Sequence, residues 1–265
     1  MSKEKCNTLA QKNVRYLGLD ISVAHGAAVV LNRKGKVILR SYFTTRKAWC
    51  VPQKLESEID LIESTFIRPK DKKRVIIPEQ YIAFRRSHVR MWFNSVMDYA
   101  NGVMRHKLDP VNTKTPIAFT LFANVEDYAY AAASRSSYQI GEVAGILRDI
   151  LFYRGGYSRF TVPSSLQKWI CGGKCLKKPR VLKAIKKGLV IPKTTISVDK
   201  NGEYDGPCTD LADAFWLANM VRTECRMKRG KLTLDKLSQS KRDVFLSVTK
   251  TQPVGMLTRP FIHWD

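Results

Sequence analysis

Residues 16–23, 27–32 and 37–43 are three short runs rich in β-branched, aromatic and apolar side chains, separated only by turn sequences. His25-Gly26 forms the first break, and Asn32-Arg33-Lys34-Gly35-Lys36 forms the second. Strands this close in sequence pair as hairpins, so the chain opens with a β-meander. Helical and strand-like patterns alternate after the meander. Over 86–107, Val89, Trp92, Phe93, Val96, Ala100 and Val103 recur at helical spacing, with Arg86, Arg90 and Arg105 at other positions, which predicts an amphipathic helix. Residues 117–125 are apolar and short enough for a buried central strand that ends at Glu126. A second helix is expected over 137–153, where Ile140, Val143, Ala144, Leu147 and Leu151 share one face and Gly155-Gly156 ends it. Residues 159–162 supply a fifth strand. A last strong helix is expected over 209–227, with Thr209 at its N-cap and Leu211, Ala214, Phe215, Ala218 and Val221 apolar.

Two regions resist this reading. Residues 44–84 lack a sustained period and carry Pro52, Pro69 and Pro78 beside Lys70, Lys72, Lys73 and Arg74, as an insertion or long loop would. Beyond Gly230 the chain is polar and basic with weak periodicity. We read 1–229 as one domain and 230–265 as a basic extension that packs on it or reaches for a partner.

Charge narrows the partner. Lys and Arg total 46 against 23 acidic residues, a formal charge of +23, far more than solubility requires, so a polyanion is expected. Anionic membrane would answer the same charge, but the sequence has no apolar run of spanning length and no signal-peptide pattern. The expectation is a cytoplasmic protein with no membrane partner. Residues 168–193 hold nine Lys or Arg and no acid, around a Gly172-Gly173 loop, and a one-sign run of this kind meets an anion or sits in solvent. Cys6, Cys50, Cys171, Cys175, Cys208 and Cys225 are scattered, so reduced thiols are expected rather than a disulfide framework. Cys171 and Cys175 lack the second pair that a zinc site needs. His25, His88, His106 and His263 show no metal-ligand spacing and read as surface or satisfied side chains, although His25 closes the hairpin after Asp20. Trp49, Trp92, Trp169, Trp216 and Trp264 read as core more readily than as base-stacking platforms, and Trp169, embedded in the basic run, is the one to test for nucleic-acid contact.

Four carboxylates interrupt apolar surroundings. Asp20 lies in Leu17-Gly18-Leu19-Asp20-Ile21, where a buried charge needs a partner or a coordinated ion. Alternation puts it on the face of Gly18 and opposite Leu17, Leu19 and Ile21. Glu126 and Asp127 end the central strand and point to opposite faces, so one of them faces Asp20. Asp210 and Asp213 share one side of the last helix near its start. Singly, each acid has an ordinary alternative as a polar-face or first-turn residue. Converging carboxylates repel unless a cation stands between them, and hard oxygen ligands without His or Cys suit Mg²⁺ or Mn²⁺. Two such ions serve phosphodiester cleavage.

The segments Tyr16-Leu17-Gly18-Leu19-Asp20, Asn124-Val125-Glu126-Asp127-Tyr128, Gly141-Glu142-Val143-Ala144-Gly145 and Thr209-Asp210-Leu211-Ala212-Asp213-Ala214 resemble, in order and spacing, the RuvC-type Holliday junction resolvases of the RNase H-like superfamily. The likeness covers about 14–43 and 86–228. It implies an α/β fold with a mixed five-stranded sheet in 3-2-1-4-5 order flanked by helices, a homodimer, and paired nicks across branched DNA at a four-way junction. It gives Asp20, Glu126, Asp210 and Asp213 the role of catalytic ligands to two Mg²⁺ or Mn²⁺ ions per site. Lys174, Lys177 and Lys178 inherit the family's DNA-contacting loop. Lys168 and Arg180 in the same run, and Arg135, are further candidates for DNA contact. Tyr128 and Tyr130 bracket the place of the family's base-stacking aromatic. Other nucleases of the superfamily would use the same acids on hybrid or transposon substrates, and a DNA-binding protein with structural acids would share the charge. The dimer contact is expected on the helices over 86–107 and 137–153, with burial of their apolar faces under 44–84 as the alternative.

Overall fold

The computed structural model describes residues 13–22, 25–44, 60–65, 78–102, 119–127, 135–191, 196–248 and 253–262. Strands β1 (Val14–Ile21), β2 (His25–Asn32) and β3 (Val37–Thr44) form the meander that the turns demand, each antiparallel to the next. Strand β5 (Thr120–Glu126) pairs in parallel with β1, and β6 (Tyr157–Thr161) pairs in parallel with β5. The meander and these two strands stand in the order 3-2-1-4-5 expected of an RNase H-like sheet. A sixth strand, β4 (Asp60–Thr65), adds to the β3 edge in parallel. The sequence offers no alternation to announce it, because pairing with β3 supplies the order that its own pattern lacks.

Helix α1 (Pro78–Ala100) begins eight residues before the expected Arg86, and α2 (Arg135–Tyr153) comes after β5. Both cover one face of the sheet. Leu17, Leu19 and Ile21 of β1 point there, with Ala28, Val30, Leu39 and Phe43 from the neighbouring strands, against Trp92, Phe93, Val96 and Leu147. Trp92 donates its indole N–H to Ser41 Oγ at 2.7 Å, so a buried polar pair fixes α1 against β3. Tyr16, Ala27, Val29 and Leu31 turn to the other face, where they meet α3 (Pro163–Cys171), α4 (Lys177–Lys186) and α5 (Pro207–Lys228). Period-two alternation in β1 thus separates two cores.

Helix α5 is buried almost all round over its first three turns, from Pro207 to Ala218. It crosses β1 at Gly18, where an added Cβ would stand 1.9 Å from the Ala214 carbonyl oxygen and 2.5 Å from the Ala218 nitrogen. Only glycine admits the helix backbone so close. A short hairpin, β7 (Ser197–Val198) with β8 (Tyr204–Asp205), leads into α5 through Gly206, whose φ of 76° makes the sharp entry.

The described part of the segment after Gly230 packs on the domain. Helix α6 (Gln239–Leu246) sets Phe245 against Trp169, ring centroids 5.2 Å apart and edge-on. Trp169 is 3% exposed, which decides for the core over contact with nucleic acid: the apolar side of α3 needs it there. Ile262 exchanges two backbone hydrogen bonds with Ser158 and so covers the β6 edge. Arg159, buried and paired with Glu224, donates to the carbonyl oxygens of Arg259 and Pro260, both at 2.9 Å. A desolvated guanidinium finds its acceptors in the tail, which is thereby tied to the sheet. Cys171 and Cys175 are joined by a disulfide across the Gly172-Gly173 loop, contrary to the expected free thiols: the turn after α3 brings their Cα atoms to 6.0 Å. Cys208 and Cys225 are free and buried. Among the described residues no helix is long and apolar enough to cross a membrane.

Candidate active site

Parallel pairing aligns Leu19 with Val125, so Asp20 and Glu126 stand next to one another at the carboxyl ends of β1 and β5. Asp20 shares the face of Gly18, as alternation requires, and therefore looks toward α5. Gly18 lets α5 lie against the sheet, and the tight entry at Gly206 aims its first two turns at the same end. Asp210 and Asp213 come with them. Asp20, Asp210 and Asp213 are each 7–8% exposed. Beneath the acids, Thr161 donates its hydroxyl to Asn124 Oδ1 at 2.8 Å, and Asn124 Nδ2 donates to the Leu217 carbonyl at 3.3 Å. These buried bonds hold β6, β5 and α5 in one relation.

The four acids interact as a group. Burial holds the Glu126 carboxyl well above the usual carboxylate range, reinforced by the charge of Asp20, a hydrogen bond with Asp20 and the charge of Asp213. Asp213 is pushed up to about 8, first by burial; Arg180 opposes the shift, and Asp20 and Asp210 add to it. A hydrogen bond between two carboxyls requires a proton on one of them, which burial and neighbouring like charges favour. Asp127 points to the other face, 3.2 Å from Arg148, so Glu126 is the acid of the pair that faces Asp20.

Two basic groups join the cluster. His25, the first residue of β2, sets Nδ1 2.6 Å from Asp210 Oδ2. Arg180 of α4 pairs through Nη1 with Asp213 Oδ2. Neither contact is visible in the sequence; the one available signal is that His25 closes the hairpin after Asp20, and the structure sets it two residues from Ala27, the strand partner of Asp20. Arg180, expected to contact DNA, instead turns inward to an acid. Its side chain is 12% exposed.

The donor set fits a hard divalent ion. It consists of carboxylate oxygens, and Asp213 Oδ1 is buried with no hydrogen-bond partner. Asp20, Glu126, Asp210 and Asp213 are the residues that would hold such an ion. Among the described residues no three His, Cys, Asp or Glu side chains stand close enough together to form a ready metal-holding group.

Of the other candidates for DNA contact, Lys174 is exposed at the loop after α3. Lys168 pairs with Asp243 at 2.9 Å and Lys177 with Asp205 at 3.0 Å, both at the surface. Lys178 is exposed, with Nζ 6.0 Å from the centre of the Tyr204 ring. Tyr128 and Tyr130 lie outside the described residues, as does the side chain of Arg135.

Neither a protein-family model nor any curated protein matches this sequence. Among solved structures, the chain is similar to Thermus thermophilus RuvC, with a TM-score of 0.45 and 11% identity over 82% of this chain and 98% of that one. It is similar also to T. thermophilus RuvC in complex with a Holliday junction substrate, with a TM-score of 0.43 and 11% identity over 82% of this chain and 97% of the other.

Proposed function

We propose that the protein is a divalent-metal-dependent endonuclease selective for branched DNA, resolving four-way junctions by paired nicks. The observation that carries this reading is the convergence of Asp20, Glu126, Asp210 and Asp213, delivered by β1, β5 and α5 to one end of the sheet, in a chain of charge +23. When bound, two Mg²⁺ or Mn²⁺ ions there supply activation of water and stabilisation of the departing oxygen in phosphodiester hydrolysis. The chain's own residues do the rest. Asp20 and Glu126, adjacent on paired strands, and Asp210 and Asp213, one turn apart on α5, hold the ions. His25 orients Asp210 from the hairpin side. Asn124 and Thr161 keep the strand ends and α5 at fixed separation. Lys174, Lys177 and Lys178, on the loop and first turn leading into α4, receive backbone phosphates.

Paired nicks on a substrate with two-fold symmetry call for two copies of the site related by a two-fold axis, hence a homodimer. Met91 of α1 and Tyr153 of α2 are exposed on the helices that would meet. The deciding experiment is cleavage of a synthetic four-way junction with Mg²⁺ against flap, RNA/DNA hybrid and single-stranded controls. Symmetric nicks confined to the junction support the proposal. Preference for the hybrid would transfer the site to a different substrate, and binding without cleavage in Mg²⁺ or Mn²⁺ would remove the catalytic reading.

A further inference from the structure

Most of the cations in 168–193 face solvent, and Arg180 does not. The Trp216 indole N–H donates to the Arg180 carbonyl oxygen at 3.2 Å, which fastens α4 to α5 and delivers the guanidinium over the first turns of α5. There Nη1 donates to Asp213 Oδ2. The charge also reaches Glu126, whose carboxyl it stabilises in the ionised form. One positive group thus serves an acid cluster.

The pairing is incomplete on both sides. Asp213 Oδ1 is buried with no hydrogen-bond partner, and so is Arg180 Nε. A buried Arg–carboxylate pair is ordinarily two parallel hydrogen bonds, because fork and carboxylate match in shape. Here one bond is made and the atoms that would make a second are left bare. The buried pair of Arg159 and Glu224 has the two-bonded form, Nε and Nη2 of Arg159 donating to the two oxygens of Glu224. Arginine stays charged at any pH the protein meets, so it cannot withdraw by losing its proton. A second cation at Asp213 must push it aside.

Resting on the reading of the acids as a cation-holding site, we infer that Arg180 is the resident counter-cation of that site, which a divalent ion displaces from Asp213 on loading. Arg180 offsets part of the cluster's charge before the ion arrives and sets the ion concentration at which the site fills.

The test is thermal melting of the full-length protein, without DNA, across a MnCl₂ series, for wild type, Arg180→Met and Asp213→Asn. Arg180→Met keeps the length and apolar stem of the side chain and removes its charge. Its half-maximal stabilisation is expected at about tenfold lower Mn²⁺ than wild type, a modest effect for deleting one like charge within a few ångströms of the site. Asp213→Asn is expected to lose most of the Mn²⁺ response. An equal or higher midpoint for Arg180→Met, with wild type responding and Asp213→Asn not, would overturn the role of Arg180 and leave the acids' role standing. No Mn²⁺ response in wild type or in Arg180→Met would overturn both. In the wild-type protein, the guanidinium ¹⁵N resonances of Arg180 are expected to move in a Mg²⁺ titration with the midpoint seen in melting. Resonances unmoved at saturating Mg²⁺ would overturn the displacement even if Arg180→Met did not fold.

Discussion

Glu126 and Asp127 are neighbours at the end of β5 and look to opposite faces of the sheet: Glu126 shares a hydrogen bond with Asp20, and Asp127 stands 3.2 Å from Arg148. The consequence is a sharp contrast between two conservative changes. Glu126→Gln is expected to abolish nicking of a four-way junction while leaving its binding in a gel-shift assay unchanged, because shape and hydrogen bonding survive and the ligand charge does not. Asp127→Asn is expected to nick normally. It removes only a part-exposed ion pair, worth about 0–1 kcal/mol of stability. The opposite pattern would put the site on the α2 face.

Gly18 offers a test through packing alone. A methyl group there would stand 1.9 Å from the Ala214 carbonyl oxygen, and backbone cannot move aside as a flexible side chain would. Gly18→Ala is therefore expected to push α5 from β1 and to lower stability by about 1–3 kcal/mol, the range for overpacked cores. Asp210 and Asp213 ride on the displaced helix. Cleavage by the folded fraction should fall with stability, which separates Gly18→Ala from a surface alanine substitution that would change neither.

How far the sequence reaches depends on where each signal is written. The meander, β5, α2 and α5 are legible because strand alternation, apolar runs and helical period are local. Strand β4 is not, since its order comes from β3, and the first eight residues of α1 are hidden because they close a Pro-punctuated segment with no sustained period. The four acids stand out as charges in apolar company. Their partners do not: His25 reaches Asp210 across 185 positions of sequence, and Arg180 looks like one more cation in a basic run until α4 is packed on α5. Trp169 is ambiguous in the sequence for the same reason, its surroundings in sequence being basic and its neighbour in space Phe245.

The raised carboxyl of Asp213 gives a pH dependence whose sign is fixed. Its folded value, about 8, lies above the ordinary aspartate value of about 4, so the folded state holds the proton more tightly than the unfolded chain. The resulting stabilisation is complete below the unfolded value and is lost as pH rises through the folded one. In EDTA, wild type is expected to melt progressively lower between about pH 4 and pH 8, relative to Asp213→Asn, whose amide cannot ionise. A constant difference between the two melting temperatures across that window would mean that the Asp213 carboxyl is not raised in the folded protein.

The lysines around α4 make a graded prediction, because the structure gives them unequal freedom. Lys174 is exposed on the loop, while Lys177 is already 3.0 Å from Asp205 and Lys168 is 2.9 Å from Asp243. A lysine that must leave a carboxylate to meet a phosphate gains less from DNA, although surface pairs of this kind are worth only about 0–1 kcal/mol and do not prevent the exchange. Changing Lys174, Lys177 and Lys178 together to Ala should weaken binding to all DNA and reduce the slope of log K against log salt by roughly 1 for each phosphate no longer neutralised. Asp205→Asn should act in the opposite direction, tightening binding modestly by freeing Lys177 and removing a negative charge from the approach. That gain should vanish when Lys177 is already Ala, apart from the long-range part of the charge. Salt-dependent fluorescence anisotropy on a junction and on a linear duplex reads all of these effects. An unchanged slope in the triple variant would leave the exposed lysines as a solvated face and move the DNA path elsewhere on the protein.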